Sequence, residues 1–260
     1  MRELEIDADL PWRHRLGLIV LKTDETIEQD FRHLAVDPSI ALYHTRIESA
    51  PNVTPETLRQ MEARIPGAAA LLPEDTPLDV IGYGCTSAST VLGEARVEEL
   101  VRSVHPSAAV TNPLSALKAA AAALGVARLG LVSPYVRSVT DALEAEMSKS
   151  GVPFVETTVF GQEEERVVAR IALGAIVAGA EEVAGNPAVE AVFASCTNLR
   201  AAGVVLEAER RTGRPFLCSN QVLAWHMMRL AGITRPLPEL GRLGSVQLAG
   251  ATTASREIVA

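Results

Sequence analysis

The chain has 260 residues, a formal net charge of −8 and three cysteines. The acidic balance argues against a nucleic-acid partner, the charged start lacks the apolar run of a secretory signal, and no segment is apolar enough to predict a membrane span. An odd number of cysteines argues against a disulfide framework, so we expect a cytoplasmic protein with no nucleic-acid and no membrane partner.

Short apolar runs alternate along the chain with longer helical patterns. The runs are nearly continuous in Val, Ile, Leu and Phe, which is typical of parallel strands covered on both faces. The alternation indicates βα units and open parallel sheets. The predicted strands are 16–21, 79–83, 108–110, 129–133, 152–158, 189–194 and 215–218, and the predicted helices are 54–65, 89–103, 115–124, 139–150, 163–182, 199–212 and 221–231.

A set of landmarks occurs twice in the same order. An Arg-Leu-Gly-Leu segment begins 70 residues before Cys85 and 68 before Cys196, and an Asn follows these cysteines after 27 and 24 residues. Nearly equal spacings predict an internal duplication. We therefore predict an α/β fold with two Rossmann-like parallel-sheet halves, related by a pseudo-two-fold axis, and an active site in the cleft between them. The first half is placed at 1–118, with the C-terminal helix at 221–260 as a candidate addition, and the second at 119–220.

Both Cys-Thr pairs lie where a predicted strand ends and a helix begins. The positive end of a helix dipole lowers the pKa of a thiol in such a place, and free N–H groups there can bind a carboxylate. Two thiols facing each other across a cleft could act on opposite sides of a small carbon acid. The candidate substrate-binding donors are Thr86 and Ser87 after Cys85, and Thr197 and Asn198 after Cys196.

Other readings of these residues are less specific. A lone cysteine is usually a small buried hydrophobe, and we keep that interpretation for Cys218, which no Thr follows. No His lies near a Cys in a metal-ligand spacing, so we predict no metal site, and His226 is interpreted as a helix residue packed on the core. Neither half has the glycine-rich turn of a nucleotide-binding Rossmann fold.

The segments Gly-Cys-Thr-Ser at 84–87 and Ser-Cys-Thr-Asn at 195–198, together with the repeat, resemble the aspartate/glutamate racemase superfamily. Nearly the whole chain is most similar to the branch that holds maleate cis-trans isomerase, arylmalonate decarboxylase and ectoine-utilisation protein A. The resemblance implies that Cys85 and Cys196 are the catalytic pair and that no cofactor is needed. It also implies a homo-oligomer, either a dimer or a tetramer.

The resemblance assigns further site residues. It implies that Thr86 and Ser87 donate hydrogen bonds to a substrate carboxylate, and that Tyr135 is the site tyrosine that follows the first strand of the second half. Maleate isomerases have a Ser-Asn-Thr segment after the first strand, where this chain has Thr-Asp-Glu-Thr at 23–26. Because an ionised Asp24 would repel a carboxylate, we expect it to pair with an amino or acylamino group instead.

A second family Asn has no counterpart in the Gly-Gln-Glu-Glu-Glu segment at 161–165. These departures argue against maleate and agree with the ectoine-utilisation branch. We predict a cofactor-independent isomerase of a small carboxylic acid, either a racemase or a cis-trans isomerase, in ectoine or related amino-acid catabolism. An arylmalonate-type decarboxylase is one alternative, although that branch has glycine at the first cysteine position. A non-catalytic binding protein for a small acid is the alternative of another class.

Overall fold

The computed structural model describes residues 4–7, 9–35 and 37–250, which form two four-stranded parallel sheets. The strands are β1 (His14–Leu21), β2 (Ile40–Ile47), β3 (Val80–Gly84), β4 (Ala109–Thr111), β5 (Leu129–Tyr135), β6 (Phe154–Gln162), β7 (Ala191–Ala194) and β8 (Phe216–Cys218). Their order is β2-β1-β3-β4 in the first sheet and β6-β5-β7-β8 in the second. The equivalent order in the two sheets confirms the predicted α/β fold with two similar halves.

Helices cover both sheets. They are α1 (Ile27–Leu34), α2 (Pro55–Arg59), α3 (Ile65–Ala69), α4 (Thr86–Leu92), α5 (Glu94–Arg102), α6 (Pro113–Leu124), α7 (Arg137–Lys149), α8 (Glu165–Val168), α9 (Leu173–Ala184), α10 (Val205–Thr212) and α11 (Ser219–Leu230). Short 3₁₀ segments lie at Glu62–Arg64, Ala202–Val204 and Pro238–Ser245.

Every predicted strand overlaps an observed one, but β2 and α1 were not predicted. Strand β2 lies at the edge of its sheet and mixes buried with exposed positions, so it lacks the continuous apolar run of a central strand. Helix α1 has only eight residues, and its buried face consists of Ile27, Phe31 and Leu34. Both elements are therefore weak signals in a single sequence.

Several predicted helices are interrupted. The predicted helix at 89–103 divides at Gly93, whose φ of +88° is a backbone conformation that favours glycine. The predicted helix at 163–182 is two helices, α8 and α9, separated by residues 169–172. The short α8 begins at Glu165, and this places that residue at the site described below.

The two halves share their packing. Helix α11 follows the last strand of the second half and packs against β3 of the first, where the Met227 side chain lies over Gly82. A Cβ at position 82 would come 2.5 Å from Met227 Sδ, so a glycine is needed for this close approach. Helices α6 and α11 also pack on each other. One apolar core therefore continues from the first sheet to the second.

Candidate active site

Cys85 and Cys196 line the same cavity between the halves. Cys85 follows strand β3, and Cys196 follows the equivalent strand β7 of the second half. Both therefore lie at the carboxyl edge of a parallel sheet, where ligands of such sheets bind. The cavity opens to solvent on one side. Its walls are formed by Leu21, Ser49, Ala50, Asn52, Val53, Thr57, Leu58, Met61, Cys85, Thr86, Ser87, Tyr135, Glu165, Cys196 and Thr197.

Cys85 is the N-cap residue of α4. Its extended backbone turns the sulfur toward the first turn of the helix, where Sγ accepts a hydrogen bond from the Ala88 N–H at 3.3 Å. The next two residues, Thr86 and Ser87, begin the helix and line the cavity. Backbone N–H groups in a first helical turn have no partner within the helix, so they are available to an anionic ligand.

Cys196 has a strained backbone. Its φ of +90° makes it the one non-glycine residue in the described part of the chain with a positive φ. This region is costly for a residue with a Cβ, and such strain is found most often at functional sites. The Cys196 sulfur accepts a hydrogen bond from the Asn198 N–H at 3.2 Å and lies 2.9 Å from the Tyr135 hydroxyl oxygen.

A buried carboxyl group, which the sequence did not single out, lies beside Cys196. The Tyr135 hydroxyl donates to Glu165 Oε1 at 2.6 Å, and Asn198 Nδ2 donates to Glu165 Oε2 at 2.8 Å. Only 4% of Glu165 is exposed. The Glu-Glu-Glu run at 163–165 gave no sign of which member is buried, because contacts with the first half decide it.

Two segments, one from each half, pair with each other next to the cavity. The Glu165 N–H donates to the Pro51 carbonyl at 3.1 Å, and the Val53 N–H donates to the Glu163 carbonyl at 3.2 Å. Asn52 and Glu164 form an isolated antiparallel bridge between these segments. The Glu165 backbone is therefore held by the first half, and its side chain by Tyr135 and Asn198 of the second.

Asn198 holds Glu165 and the loop after β1 by hydrogen bonds. Besides Glu165 Oε2, its Nδ2 contacts the Glu165 carbonyl at 2.9 Å, and its Oδ1 accepts from the Glu25 N–H at 2.8 Å. Its carboxamide lies outside the cavity wall described above. Thr197 does line the cavity, and its carbonyl accepts hydrogen bonds from Thr26 Oγ1 and Asn220 Nδ2, both at 2.7 Å.

The structure does not place Asp24 on the cavity wall, which differs from the expectation that it faces the substrate. Its Oδ1 accepts hydrogen bonds from the N–H groups of Thr26 and Ile27, at 2.8 and 2.9 Å, and so caps the start of α1. An aspartate just before a helix has these free donors within reach, and they turn its carboxylate toward its own loop. Its Oδ2 is buried and has no hydrogen-bond partner among the described residues.

Burial outweighs the helix dipole at both thiols, contrary to the sequence-based expectation. Loss of hydration raises the pKa of Cys85 to about 12, although the Ala88 N–H opposes this change. The pKa of Cys196 is also raised, first by burial and then by the negative charge of Glu165. Burial likewise raises the pKa values of Tyr135 and Glu165. Burial therefore favours the thiol form of both sulfurs.

Cys218 and His226 lie outside the cavity wall, in agreement with the sequence analysis. Cys218 is buried at the end of β8, away from the cavity wall. His226 lies in α11 with Nδ1 2.7 Å from Thr111 Oγ1, and burial lowers its pKa to about 4.

In the described part of the chain, no group of three or more His, Cys, Asp or Glu residues is arranged to hold a metal ion. Among the same residues, no helix is long and apolar enough to cross a membrane.

Comparison with known proteins identifies the family. The arylmalonate decarboxylase family model matches residues 17–244. The chain is 24% identical to maleate isomerase of Pseudomonas putida over 245 residues, or 88% of this chain and 96% of that protein. A structure of Nocardia farcinica maleate cis-trans isomerase, a mutant with a covalently bound succinylcysteine intermediate, is 26% identical with a TM-score of 0.82 and covers 89% of this chain and 98% of its own.

A liganded double mutant of arylmalonate decarboxylase has the same fold, with a TM-score of 0.78, 24% identity and coverage of 88% of this chain and 98% of that one. These matches span both sheets and both cysteine segments. The chain therefore belongs to the arylmalonate decarboxylase family, in the maleate isomerase and arylmalonate decarboxylase branch of the aspartate/glutamate racemase superfamily.

Proposed function

We propose that this chain is a cofactor-independent isomerase that acts on a small carboxylic acid through Cys85 and Cys196. The observation that carries the proposal is the position of two thiols, one from each half, on the wall of one cavity. The relatives named maleate isomerase, and the succinylcysteine intermediate in the Nocardia farcinica structure, support cysteine chemistry at such a site.

Two reactions suit this pair of thiols. In a racemisation, one thiolate removes the proton from Cα and the other thiol delivers a proton to the opposite face. In a cis-trans isomerisation, a thiolate adds to the double bond, the resulting single bond rotates, and the thiolate is eliminated. In both, negative charge develops on the substrate carboxylate, where the N–H groups of Thr86 and Ser87 can stabilise it.

We extend the proposal to an acid of ectoine or related amino-acid catabolism. The chain departs from the maleate isomerase pattern at 161–165, where no Asn is present and the carboxyl group of Glu165 lines the cavity. A carboxyl group disfavours a second substrate carboxylate but accepts hydrogen bonds from an amino or acylamino group. A cytoplasmic location and a homo-oligomeric state remain predictions.

Decarboxylation of an arylmalonate-type acid is the second candidate, favoured by the match to that family. Loss of CO₂ leaves an enediolate that one thiol can protonate from one face. The second thiol in the cavity would then have no chemical task. For this reason we rank the two-thiol isomerase first.

The test is conversion of a panel of amino, N-acylamino, unsaturated and arylmalonic acids, followed by chiral chromatography and NMR. The variants are Cys85→Ala and Cys196→Ala, with Cys218→Ala as the matched control, because Cys218 is equally buried but does not line the cavity. We expect wild type and Cys218→Ala to isomerise one class of acid. Each of the other variants should lose at least about 10²-fold in rate.

Each contrary outcome has a definite meaning. CO₂ release without isomerisation would assign the chain to the decarboxylases. Full activity of Cys85→Ala or Cys196→Ala would refute the two-thiol mechanism. Tight binding of an acid without conversion, unaffected by either substitution, would identify a binding protein.

A further inference from the structure

Glu165 is the one ionisable carboxyl group on the described wall of the cavity, and no Lys, Arg or His lies on that wall. We infer that Glu165 is the subsite for the ammonium group of the substrate, so that the substrate class is a small amino acid. This inference rests on the proposed function and deepens it. It also favours proton exchange at Cα over addition to a double bond.

The hydrogen bonds of Glu165 favour its ionised form. Both side-chain partners, Tyr135 and Asn198, donate to it, one to each carboxylate oxygen. A protonated acid would need an acceptor for its own proton, whereas a carboxylate can accept about four hydrogen bonds. Two acceptor positions therefore remain for a ligand that enters the cavity.

The described residues supply no counterion for this carboxylate. The nearest arginines along the chain form ion pairs at the surface, Arg166 with Glu164 and Arg170 with Glu25. The other titratable groups that face Glu165 are Asp24, Tyr135 and the two thiols, none of which carries positive charge. A buried carboxylate without a cation is unfavourable, and an ammonium ligand would remove that cost.

The position of Glu165 suits an α-amino acid. It lies on the Cys196 side of the cavity, joined to that sulfur through the Tyr135 hydroxyl. Thr86 and Ser87, which begin α4 next to Cys85, line the same cavity. A ligand whose ammonium group contacts Glu165 would therefore share that cavity with both thiols and with these hydrogen-bond donors.

The test measures binding by titration calorimetry at pH 7, with matched probes that differ in the ammonium group. The pairs are aspartate with succinate and glutamate with glutarate, each amino acid as both enantiomers. Wild type should bind the amino member of at least one pair about tenfold or more tightly. Glu165→Gln should abolish this preference. Glu164→Gln is the matched control, because Glu164 is exposed in the neighbouring position, and it should retain the preference.

Proton linkage in wild type gives a second readout that needs no variant to fold. Repeating the titration in buffers of different ionisation enthalpy reports proton uptake on binding. An amino acid pairs with ionised Glu165 and should bind without proton uptake, releasing any proton that burial keeps on this carboxyl group. A second carboxylate requires that Glu165 be protonated and should not release protons on binding.

Three results would overturn the inference. They are a wild-type preference for the desamino acid, a preference that survives Glu165→Gln, and failure of every amino-bearing probe to bind. The assay is independent of turnover. Preferential binding without conversion would refute the proposed isomerase and leave the subsite, whereas isomerisation of acids without an amino group would do the reverse.

Discussion

At the scale of single residues, burial sets the chemistry of the site more than helix dipoles do. Cys85 has the N-cap position that the sequence indicated, yet burial raises its pKa to about 12. Cys196 is held with a φ of +90°, which nothing in its apolar strand indicates. Positions of thiols relative to strands could therefore be predicted, but their ionisation depends on the tertiary environment and could not.

The buried Glu165 illustrates the same limit. Three consecutive glutamates at 163–165 have identical intrinsic properties, and the tertiary contacts of one of them with Pro51, Tyr135 and Asn198 accompany its burial. Asp24 was identified as unusual for the family, but its carboxylate caps α1. The sequence indicated a carboxyl group near the site, and which carboxyl group lines the cavity depends on tertiary contacts.

Asp30 provides a residue-scale prediction about pH. Burial raises the pKa of its carboxyl group from an ordinary value of 3.8 to about 6, against the hydrogen bond from Asn220. Between these pH values the folded chain keeps a proton that the unfolded chain has lost, so stability falls as pH rises through about 6. Asp30→Asn should therefore gain stability relative to wild type, by about 1–3 kcal/mol, as pH rises from 4 to 7.

Urea denaturation across this pH range measures the effect. Asp37→Asn is the control, because hydrogen bonds from Ser39 lower the pKa of Asp37 to about 2 and its contribution should be constant above pH 5. A stability difference between Asp30→Asn and wild type that does not change with pH would contradict the prediction.

At the scale of elements, the strength of each local signal decided what could be predicted. Buried central strands such as β1, β5 and β7 consist of continuous apolar residues and were identified. The edge strand β2 and the short α1 were not, because their pattern reflects partial exposure. The predicted helix at 89–103 divides at Gly93, which has a positive φ, and the predicted helix at 163–182 divides between α8 and α9.

The contact between α11 and β3 gives a prediction at this scale. Gly82→Ala would place a methyl group 2.5 Å from the Met227 sulfur in the core. Because Met227 is fully buried, either its side chain must repack or α11 must shift, so we expect a loss of about 1–3 kcal/mol in the free energy of unfolding. Gly67→Ala is the control, because a Cβ there meets nothing within 4 Å. It should be neutral or stabilising by up to about 1 kcal/mol.

Combining Gly82→Ala with Met227→Ala tests the mechanism. The second substitution removes the side chain that the new methyl group would strike, so the two effects should be less than additive. Strict additivity would show that the loss of stability in Gly82→Ala does not arise from contact with the Met227 side chain.

At the scale of the whole molecule, the duplicated halves share their apolar core. One core cluster joins Ile19 and Ile81 of the first sheet to Val132 and Val192 of the second, and another includes residues of both sheets together with α6 and α11. The duplication was evident in the sequence from the spacing of its landmarks. The return of α11 to the first half was anticipated only as a candidate, because helix packing partners have no local signature.

Shared cores predict cooperative unfolding. Urea transitions followed by far-UV circular dichroism, which reports both halves, and by fluorescence, in which the buried Trp225 of α11 should dominate the change, should coincide. Separate transitions would show that the halves are independent domains joined by a weak contact.

The central claim, that two thiols act from opposite halves on one substrate carbon, is tested most directly by deuterium exchange. The protein is incubated with the converted acid in D₂O, and incorporation at Cα is followed by NMR for each enantiomer. Wild type should exchange both enantiomers, and Cys85→Ala and Cys196→Ala should each fail to interconvert them and should restrict any remaining exchange to opposite faces. Exchange on both faces in either variant would contradict the claim.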